Sequence, residues 1–435
     1  MRVSVIGCGY LGAVHAACMA ELGHDVVGVD VDRAKIEALS EGRPPFFEPG
    51  LPELLTSALE SGRLSFTTDS SQIKGNQVHF IAVGTPQKPG EYAADMTYVD
   101  AAVESIIPHL GSGDIVVGKS TVPVGTARTI AKKLAEAAPD ATLAWNPEFL
   151  REGFAVKDTL TPDRLVYGLP NGDSRAGVIL DEVYASAIQA GTPIVRTDYE
   201  TAELVKVSAN AFLATKISFI NAMAEVCEAA GADVTQLAEA IGYDERIGRR
   251  FLNAGLGFGG GCLPKDIRAF MARAGELGVE SSLKFLREVD AINVRRRSRM
   301  VDLAREVCGG SILGKKIAIL GLAFKPNSDD VRDSPALNVA VQLQLQGATV
   351  LATDPVATAN ARRRFPELTF VRTVEDAVDM ADVVLLLTEW NEYKEIDPFW
   401  LGSLVKSKTL VDGRNCLDPS KWRDAGWTYR ALGRP

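Results

Sequence analysis

A glycine-rich turn near the N-terminus constrains the fold of this chain more than any other feature. Residues 7–12 read G-C-G-Y-L-G, follow an apolar run at 3–6 and precede a helical pattern at 13–22. A second apolar run ends in Asp30, 18 residues beyond Gly12. This order of strand, G-x-G-x-x-G turn, helix and acidic strand end is the dinucleotide-binding fingerprint. The chain is therefore predicted to begin with a dinucleotide-binding α/β domain.

Each glycine of the turn has its own expected role. Gly7 permits a tight turn, Gly9 lets a pyrophosphate approach the backbone, and Gly12 lets the helix pack on the sheet. The start of the helix then offers backbone N–H groups to phosphate oxygens.

The cofactor is predicted to be NAD, because Asp30 can accept hydrogen bonds from the adenosine ribose hydroxyls. Arg33 and Lys35 follow closely, and a cation there could accommodate the additional phosphate of NADP. The sequence pattern therefore favours NAD and leaves NADP as the alternative.

Apolar runs and helical patterns alternate in the first and last parts of the chain, which indicates parallel sheets covered on both faces. The stretch from Tyr199 to Ala230 has helical spacing of apolar residues without Gly or Pro, and Gly231 is expected to end it. The fold class is predicted to be α/β: two Rossmann-like, doubly wound domains joined by a long central helix and a helical segment. The predicted divisions are 1–198 for NAD binding, 199–308 for a helical dimerisation domain, and 309–435 for a second Rossmann-like domain.

Composition excludes several classes of protein. The net charge is 47 − 56 = −9, which argues against a protein built to bind nucleic acid or an anionic membrane. No apolar run approaches the ~18 residues of a membrane span. Six scattered cysteines without a C-x-x-C pair, and only four histidines, argue against a disulfide framework and a structural zinc site. We expect a cytoplasmic protein without a bound metal.

The segment F-G-G-G-C-L-P-K-D at 258–266 is the most informative for chemistry. Pro264 suits the first turn of a helix, so Cys262 is expected at a helix N-terminus, beside Lys265. Both features stabilise a thiolate, as a nucleophilic cysteine requires. Asp266 lies four residues on, on the same helical face. The other five cysteines are expected to pack in cores.

Other polar residues lie at strand ends or share a helix face. Lys206 and Asn210 are four residues apart on the long helix, which places them on one face. Glu148 lies in N-P-E-F-L-R-E-G after a strand, and Thr121 lies in S-T-V-P-V-G-T after another. Thr126 is expected to cap the following helix. Considered one at a time, each of these residues could equally be an ordinary polar residue on the surface or in a solvated loop.

The second sheet domain starts with a similar strand, I-A-I-L-G, but lacks the glycines that would admit a pyrophosphate. A different phosphorylated ligand is therefore expected there, and Lys325 and Arg332 are its candidate cations.

Together these motifs resemble those of the nucleotide-sugar 6-dehydrogenases, the UDP-glucose/GDP-mannose dehydrogenase family. The resemblance also includes G-T-P at 84–86, D-E-R-I-G at 244–248, F-L-N-A-G at 251–255, K-P-N-S-D-D-V-R-D-S-P at 325–335 and D-G-R-N at 412–415. It spans the whole chain in order. The small departures are Gly261, where the family usually has serine, and Leu263, where phenylalanine is common and leucine occurs in GDP-mannose enzymes.

The resemblance implies a four-electron, NAD-dependent oxidation of the sugar C6 alcohol to a carboxylate. Cys262 would trap the C6 aldehyde as a thiohemiacetal and then carry a thioester, while Lys206 and Asn210 stabilise the oxyanions. Glu148 and Asp266, with Thr121, would move protons and position water. The resemblance leaves open which carboxylate serves which step.

The resemblance also implies the ligand contacts and a homodimer, with Arg246 donated by the second subunit. The residues implied to contact NAD are Gly7, Gly9, Tyr10, Leu11, Gly12, Asp30, Lys35, Thr85, Thr121, Glu152, Lys265 and Arg332. The residues implied to contact the nucleotide sugar are Glu148, Phe149, Leu150, Arg151, Glu152, Lys206, Asn210, Arg246, Phe251, Leu252, Asn253, Ala254, Gly255, Gly259 and Lys325.

UDP-glucose is favoured as the substrate, and GDP-mannose is the alternative; UDP-N-acetylmannosamine fits the cysteine segment less well. Two other classes of protein compete with this interpretation. A non-catalytic nucleotide-sugar binder would have no use for Cys262, Lys206, Asn210 and Asp266 together. A two-electron dehydrogenase would not need a nucleophilic cysteine.

Overall fold

The computed structural model describes residues 1–170 and 175–435. Within them the chain forms two compact units. Unit 1 consists of Met1–Ala209 and Arg268–Gly278, and unit 2 of Asn210–Ile267 and Val279–Pro435. The three-part division from the sequence stays a prediction.

Unit 1 contains a twisted, mostly parallel sheet, which has eight strands within the described residues. The strands are β1 (Arg2–Ile6), β2 (Asp25–Val29), β3 (Leu64–Thr67), β4 (Val78–Ile81), β5 (Ile115–Gly118), β6 (Thr142–Trp145), β7 (Leu165–Gly168) and β8 (Ile194–Thr197). Their order is β3-β2-β1-β4-β5-β6-β7-β8, and β6 pairs antiparallel with β7. The order of the first six is that of a dinucleotide-binding sheet, whose ligand crevice lies where β1 and β4 diverge.

Both faces of this sheet are buried, as the uninterrupted apolar strands predict. On β5, Ile115 and Val117 pack in one hydrophobic cluster, whereas Val116 between them packs in another. Short helices cover the two faces. They are α1 (Tyr10–Glu21), α2 (Arg33–Ser40), α3 (Leu51–Glu60), α4 (Thr97–Ile106), α5 (Thr126–Ala137), α6 (Ala155–Leu160), α7 (Arg175–Val183) and α8 (Ala185–Gln189).

The middle of the chain is helical. The long helix α9 runs over Tyr199–Ala230 and ends before Gly231, which has φ +74°, so the predicted helix and its glycine stop are confirmed. The helices α10 (Val234–Gly242), α11 (Leu263–Glu276) and α12 (Phe285–Val307) follow. The boundaries between the units fall inside α9 and α11.

Unit 2 repeats the parallel-sheet architecture, with six strands in its described residues. The strands are β9 (Lys316–Leu320), β10 (Thr349–Thr353), β11 (Thr369–Phe370), β12 (Val383–Leu386), β13 (Thr409–Asp412) and β14 (Thr428–Ala431). Its helices are α13 (Pro335–Leu345), α14 (Thr358–Arg364), α15 (Val374–Val378), α16 (Asn391–Lys394), α17 (Pro398–Gly402) and α18 (Pro419–Asp424). The order β11-β10-β9-β12-β13-β14 matches that of the first six strands of unit 1. Two Rossmann-like sheets and a long central helix confirm the predicted fold class. Among the described residues, no helix has both the length and the apolar character needed to cross a bilayer.

Candidate active site

The turn between β1 and α1 has the form that a dinucleotide requires. Gly7 has φ +92°, and a Cβ atom on it would lie 2.6 Å from Val83 Cγ1. A Cβ atom on Gly12 would lie 1.7 Å from the Gly7 carbonyl oxygen. Beside Gly9, in contrast, a Cβ atom would meet no described atom within 4 Å. The tight packing and this open position fit a phosphate group at the N-terminus of α1.

Asp30 lies at the end of β2 and is held in place on several sides. Its Oδ2 accepts hydrogen bonds from the Cys8 backbone N–H at 2.8 Å and from the Lys35 ammonium at 2.9 Å. Its Oδ1 accepts one from the Asp32 backbone N–H at 3.0 Å. An ionised carboxylate has roughly four lone pairs, so room remains for a ribose hydroxyl. Because Lys35 pairs with Asp30 itself, its charge is largely neutralised, which favours NAD over NADP.

Thr85 and Thr121, from two predicted motifs, come together at the carboxyl edge of the sheet. The Thr85 hydroxyl donates a hydrogen bond to the Thr121 carbonyl at 2.7 Å. The Ser120 hydroxyl donates one to the Val83 carbonyl at 2.7 Å. The segments after β4 and β5 are therefore joined beside the glycine-rich turn.

The expectation that Thr126 caps α5 is wrong. Gly125 occupies the cap position with φ +96°, a conformation that favours glycine. The Glu203 carboxylate on α9 instead accepts hydrogen bonds from the backbone N–H groups of Gly125 and Ala127, both at 2.6 Å. Burial raises the pKa of Glu203 to about 7, and the two N–H donors oppose that shift. Glu203 thus joins the start of α5 to the helix that carries Lys206.

Glu148 and Lys206 form a nearly buried ion pair, with 2.9 Å between Oε1 and Nζ. The other oxygen of Glu148 accepts a hydrogen bond from the Leu150 backbone N–H at 2.6 Å. The Lys206 ammonium also lies 5.7 Å from the centre of the Phe149 ring. A carboxylate and an ammonium at hydrogen-bonding distance provide a proton acceptor and a donor for an oxyanion.

The Glu148 loop comprises residues 148–152, and other side chains of this loop also make contacts. The Arg164 guanidinium carbon lies 3.8 Å from the centre of the Phe149 ring. Arg151 pairs with Asp158 at 2.6 Å and is directed to the surface, so its predicted substrate contact has no support from this geometry. Burial, then Glu48, then Glu152 raise the pKa of the Tyr10 phenol, and the backbone N–H of Gly153, next to Glu152, donates a hydrogen bond to the Tyr10 hydroxyl at 3.3 Å.

Cys262 directly precedes α11, as predicted, and its side chain is exposed. Its carbonyl accepts the hydrogen bond from the Asp266 backbone N–H at 2.8 Å, the first bond of this helix. The thiol therefore stands at the positive end of a helix dipole.

The other five thiols are less exposed than that of Cys262. Burial raises the pKa of Cys18 to about 12 and also raises the pKa values of Cys8, Cys227, Cys308 and Cys416. Cys8, Cys18 and Cys227 are buried, as predicted, whereas Cys308 and Cys416 are only half-buried. A raised pKa makes each of these thiols a poorer nucleophile.

Asp266 lies within a buried polar cluster. Its Oδ2 accepts a hydrogen bond from the Asn210 side-chain amide at 2.7 Å, and its Oδ1 lies 2.7 Å from the Lys265 ammonium. Asn210 and Asp266 are both buried. Two residues predicted separately thus meet in unit 2, and Lys265 supplies the charge that balances the carboxylate.

The predicted substrate segment 251–255 offers mainly its backbone. The side chains of Leu252 and Ala254 are buried in a cluster with Ile220 and Ala224, so they are not available to a ligand. Asn253 accepts a hydrogen bond from Arg249 at 2.8 Å.

The backbone around this segment is shaped at two positions. Phe251 has φ +64°. The Gly255 N–H donates to the Asn221 amide oxygen at 2.9 Å, and a Cβ atom on Gly255 would lie 2.6 Å from the Gly413 carbonyl oxygen. Gly255 therefore allows the close approach of two backbone segments.

Of the cations predicted in unit 2, Arg246 and Arg332 are exposed and Lys325 is half-buried. Arg246 pairs with Asp244 at 2.6 Å and has a side chain 89% exposed. Arg332 pairs with Asp330 at 2.7 Å, and the Lys325 ammonium lies 5.3 Å from the centre of the Phe324 ring.

Gly259 permits close packing, because a Cβ atom there would lie 2.4 Å from the Asp333 carbonyl oxygen. Gly260 donates its N–H to the Arg332 carbonyl at 2.8 Å. The cysteine segment and the Arg332 segment are therefore in contact within unit 2.

Asp354, at the end of β10, is bonded to the turn that follows β9. Its Oδ2 accepts hydrogen bonds from the backbone N–H groups of Leu322 and Ala323 at 2.7 and 3.0 Å, and from the Trp390 indole at 3.1 Å. The backbone N–H groups of this turn are thus paired with the protein's own carboxylate.

Comparisons with known proteins agree with this geometry. Residues 1–188, 200–295 and 318–419 match the NAD binding, central and UDP binding domains of the UDP-glucose/GDP-mannose dehydrogenase family. The chain is 44% identical to the UDP-glucose 6-dehydrogenase of Rhizobium meliloti, and the match covers 100% of both chains. It is 42% identical to the UDP-glucose 6-dehydrogenase TuaD of Bacillus subtilis, over 100% of this chain and 93% of that protein. A UDP-glucose dehydrogenase from Pyrobaculum islandicum superposes with a TM-score of 0.90 at 40% identity, covering 100% of this chain and 98% of that one.

The chain belongs to the UDP-glucose/GDP-mannose dehydrogenase family. As a member of this family it is an NAD-dependent oxidoreductase, and its cofactor is NAD. The match of residues 318–419 to the UDP binding domain supports a nucleotide-sugar substrate.

Several residues around the family's motifs were missed from the sequence. Lys119 is buried at the end of β5, and its ammonium donates hydrogen bonds to the Asn146 amide oxygen at 2.9 Å and the Tyr184 hydroxyl at 3.2 Å. Burial lowers the pKa of Lys119 to about 8. It lines a cavity of about 50 Å³ together with His15, Asn146 and Glu148. Its position directly before S-T-V-P at a strand end was the available signal.

Glu48 was also missed. Its buried carboxylate accepts hydrogen bonds from the backbone N–H groups of Gly153 and Ala155 at 2.6 and 2.7 Å, and from the Tyr10 hydroxyl. It thereby links the glycine-rich turn to the end of the Glu148 loop in this dehydrogenase. An acidic residue between two phenylalanines and a Pro-Gly turn was the sequence signal.

Proposed function

We propose that this protein catalyses the four-electron oxidation of UDP-glucose at C6 to UDP-glucuronate, with two NAD reduced per turnover. The observation that carries the proposal is the exposed Cys262 thiol at the start of α11, next to the buried Asn210–Asp266 pair. An oxidation that stops at a ketone has no use for such a thiol, whereas oxidation to an acid requires the aldehyde to be trapped and activated.

UDP-glucose is preferred to GDP-mannose because the relatives at 44% and 42% identity are both named UDP-glucose 6-dehydrogenases. The UDP binding match at 318–419 supports the same nucleotide. We propose that the nucleotide sugar contacts the Glu148 loop, the backbone of 251–255, Gly259 and Lys325.

NAD accepts hydride when bound. The residues proposed to contact it are the glycine-rich turn with Tyr10 and Leu11, and Asp30, Lys35, Thr85, Thr121, Glu152, Lys265 and Arg332.

For the first oxidation, the C6 hydroxyl must lose a proton as its hydride leaves. The carboxylates of Glu148 and Asp266 are the proposed proton acceptors. Lys206 and Asn210 are proposed to stabilise the oxyanions at C6, because fixed donors in a dry site act most strongly where charge develops.

The second oxidation requires a covalent adduct. The Cys262 thiolate adds to the aldehyde carbon, a C–S bond forms, and the carbonyl oxygen becomes an oxyanion, giving a thiohemiacetal. Loss of hydride from this carbon restores the C=O bond as a thioester. Water, held by a carboxylate and Thr121, then adds; the C–S bond breaks, and the acid and the thiolate are released.

The stoichiometry of the reaction tests this proposal. Purified protein with NAD and a limiting amount of UDP-glucose is expected to form two NADH per sugar consumed, with UDP-glucuronate as the product. GDP-mannose and UDP-N-acetylmannosamine in parallel reactions serve as comparisons. One NADH per sugar would reject the four-electron route, and binding of UDP-glucose without NADH formation would indicate a non-catalytic binder. Faster turnover of GDP-mannose than of UDP-glucose would identify GDP-mannose as the substrate.

The homodimer is proposed to form along α9. Phe212, Phe219 and Val226 are 66%, 49% and 57% exposed and recur every seven residues, which places them on one face of the helix. An apolar stripe of this kind is typical of a helix that packs against a partner. The exposed Arg246 would be the residue offered to the second subunit.

We expect Phe219→Asp to convert a dimer into a monomer, because it places a charge in the centre of the stripe. Size-exclusion chromatography with light scattering measures the mass directly. Phe399→Asp is the matched control, since Phe399 is also exposed, on α17, and away from α9. A wild-type protein that is already monomeric, or a Phe219→Asp variant that stays dimeric, would contradict the proposal.

We further propose the three-part division 1–198, 199–308 and 309–435, which agrees with the order of the matched domains. A cytoplasmic location is proposed because the reaction needs a reduced Cys262.

A further inference from the structure

Asn293, which belongs to none of the motifs discussed so far, holds the backbone of the cysteine segment. It lies on α12 and is 1% exposed. Its side-chain amide donates to the Phe258 carbonyl at 2.9 Å, and its amide oxygen accepts from the Phe258 N–H at 2.7 Å. A single side chain thus pairs with both polar backbone groups of one residue, as a neighbouring β-strand would.

The packing around this contact is tight. A Cβ atom on Gly257, which has φ +92°, would lie 2.3 Å from the Asn293 amide oxygen. Phe258 is itself buried. The segment therefore has little freedom to move relative to α12 at this point.

The remaining contacts secure the segment on both sides of Phe258. Before it, the Gly257 carbonyl accepts a hydrogen bond from Arg414 at 2.9 Å. After it, the Gly260 N–H donates to the Arg332 carbonyl at 2.8 Å and the Gly261 N–H to the Asp330 carboxylate at 3.2 Å. Because Asn293 holds both polar backbone atoms of Phe258, it restrains the orientation of the backbone at this residue.

We infer that Asn293 is a positioning residue, which sets the place of the Cys262 thiol at the start of α11 by holding Phe258. This inference rests on the proposed role of Cys262 as the nucleophile. Loss of the amide should let the segment relax, and a displacement of about 1 Å can cost about 10²-fold in rate. The backbone of the glycine-rich turn should keep its shape, because that turn belongs to unit 1.

Asn293→Ala tests the inference through two measurements. We expect kcat to fall at least about tenfold. The rate constant for alkylation of Cys262 by iodoacetamide, followed by mass spectrometry, should change at least about threefold, because the thiolate moves relative to the helix terminus.

Ser218→Ala is the matched control. The Ser218 hydroxyl, on α9, is buried and donates a hydrogen bond to the Val289 carbonyl at 2.7 Å. Val289 lies on α12, one turn before Asn293. This variant loses a buried hydrogen bond to α12 without touching Phe258, so kcat and the alkylation rate should stay near wild type at a comparable loss in Tm. If Asn293→Ala does not fold, Asn293→Ser, which keeps one polar atom, is measured in its place.

The inference is overturned if the Asn293 variant matches Ser218→Ala in both kcat and alkylation rate. Failure of the proposed function gives a different result: complete alkylation of Cys262 in the wild-type protein would then leave UDP-glucuronate formation intact. The alkylation rates still report on the position of the thiol in that case.

Discussion

Cys262→Ser is expected to abolish formation of UDP-glucuronate. A free thiol has a pKa of about 8.5 and ionises readily at a helix N-terminus, whereas a serine hydroxyl does not. An ester to serine would also release its alkoxide far less easily than a thioester releases its thiolate. Both the trapping of the aldehyde and the release of the acid should therefore fail. Chromatography of the nucleotide sugars after prolonged incubation with NAD measures the product.

Cys308→Ser is the control for this prediction. Cys308 is half-buried at the end of α12, and burial raises the pKa of its thiol. We expect this variant to form UDP-glucuronate at a rate near that of the wild type. Wild-type formation of the acid by Cys262→Ser would refute the assignment of the nucleophile, whatever the control shows.

Lys206→Met is expected to lower kcat by about 10²- to 10³-fold, the usual cost of removing one donor to an oxyanion. The Lys206 ammonium lies 2.9 Å from Glu148 in a site where both side chains are largely buried. Methionine keeps most of the volume of the lysine side chain and removes its charge. Stopped-flow or steady-state measurement of NADH formation gives kcat.

One further variant separates catalysis from stability. Breaking a buried ion pair costs about 3–5 kcal/mol, so the free energy of unfolding must be measured beside kcat. Lys133→Met breaks an exposed lysine–glutamate pair, Lys133 with Glu104 at 2.5 Å, and should leave both kcat and stability nearly unchanged. A Lys206→Met variant with reduced stability and normal kcat would show that Lys206 has only a structural role.

Most elements of the fold were predictable because their patterns are local. The 32-residue helix α9 has the bounds that the sequence indicates, and β1 coincides with the apolar run at 3–6 to within one residue. The strands β3, β7, β8, β11 and β14 were missed. β8 is half-exposed and β11 has only two residues, so neither carries a run of buried apolar residues.

The places of the candidate functional residues in the fold were predictable where a motif lies at a strand end or a helix start. The glycine-rich turn, Asp30 and Cys262 are of this kind, since each depends on chain neighbours within a turn or two. Glu48 and Asn293 were not predictable in this way. Glu48 contacts Gly153, 105 residues away, and Asn293 contacts Phe258, 35 residues away.

By itself the sequence determined the class of the protein: two dinucleotide-type sheets, a long helix, a cofactor turn and a cysteine at the start of a helix. Hydrophobic periodicity and turn chemistry depend on residues close together in the chain, so they can be recognised directly in the amino-acid sequence. The tertiary structure alone decided which carboxylate meets which cation or amide. Glu148 pairs with Lys206, and Asp266 with Asn210, because strand order and helix packing bring distant side chains together.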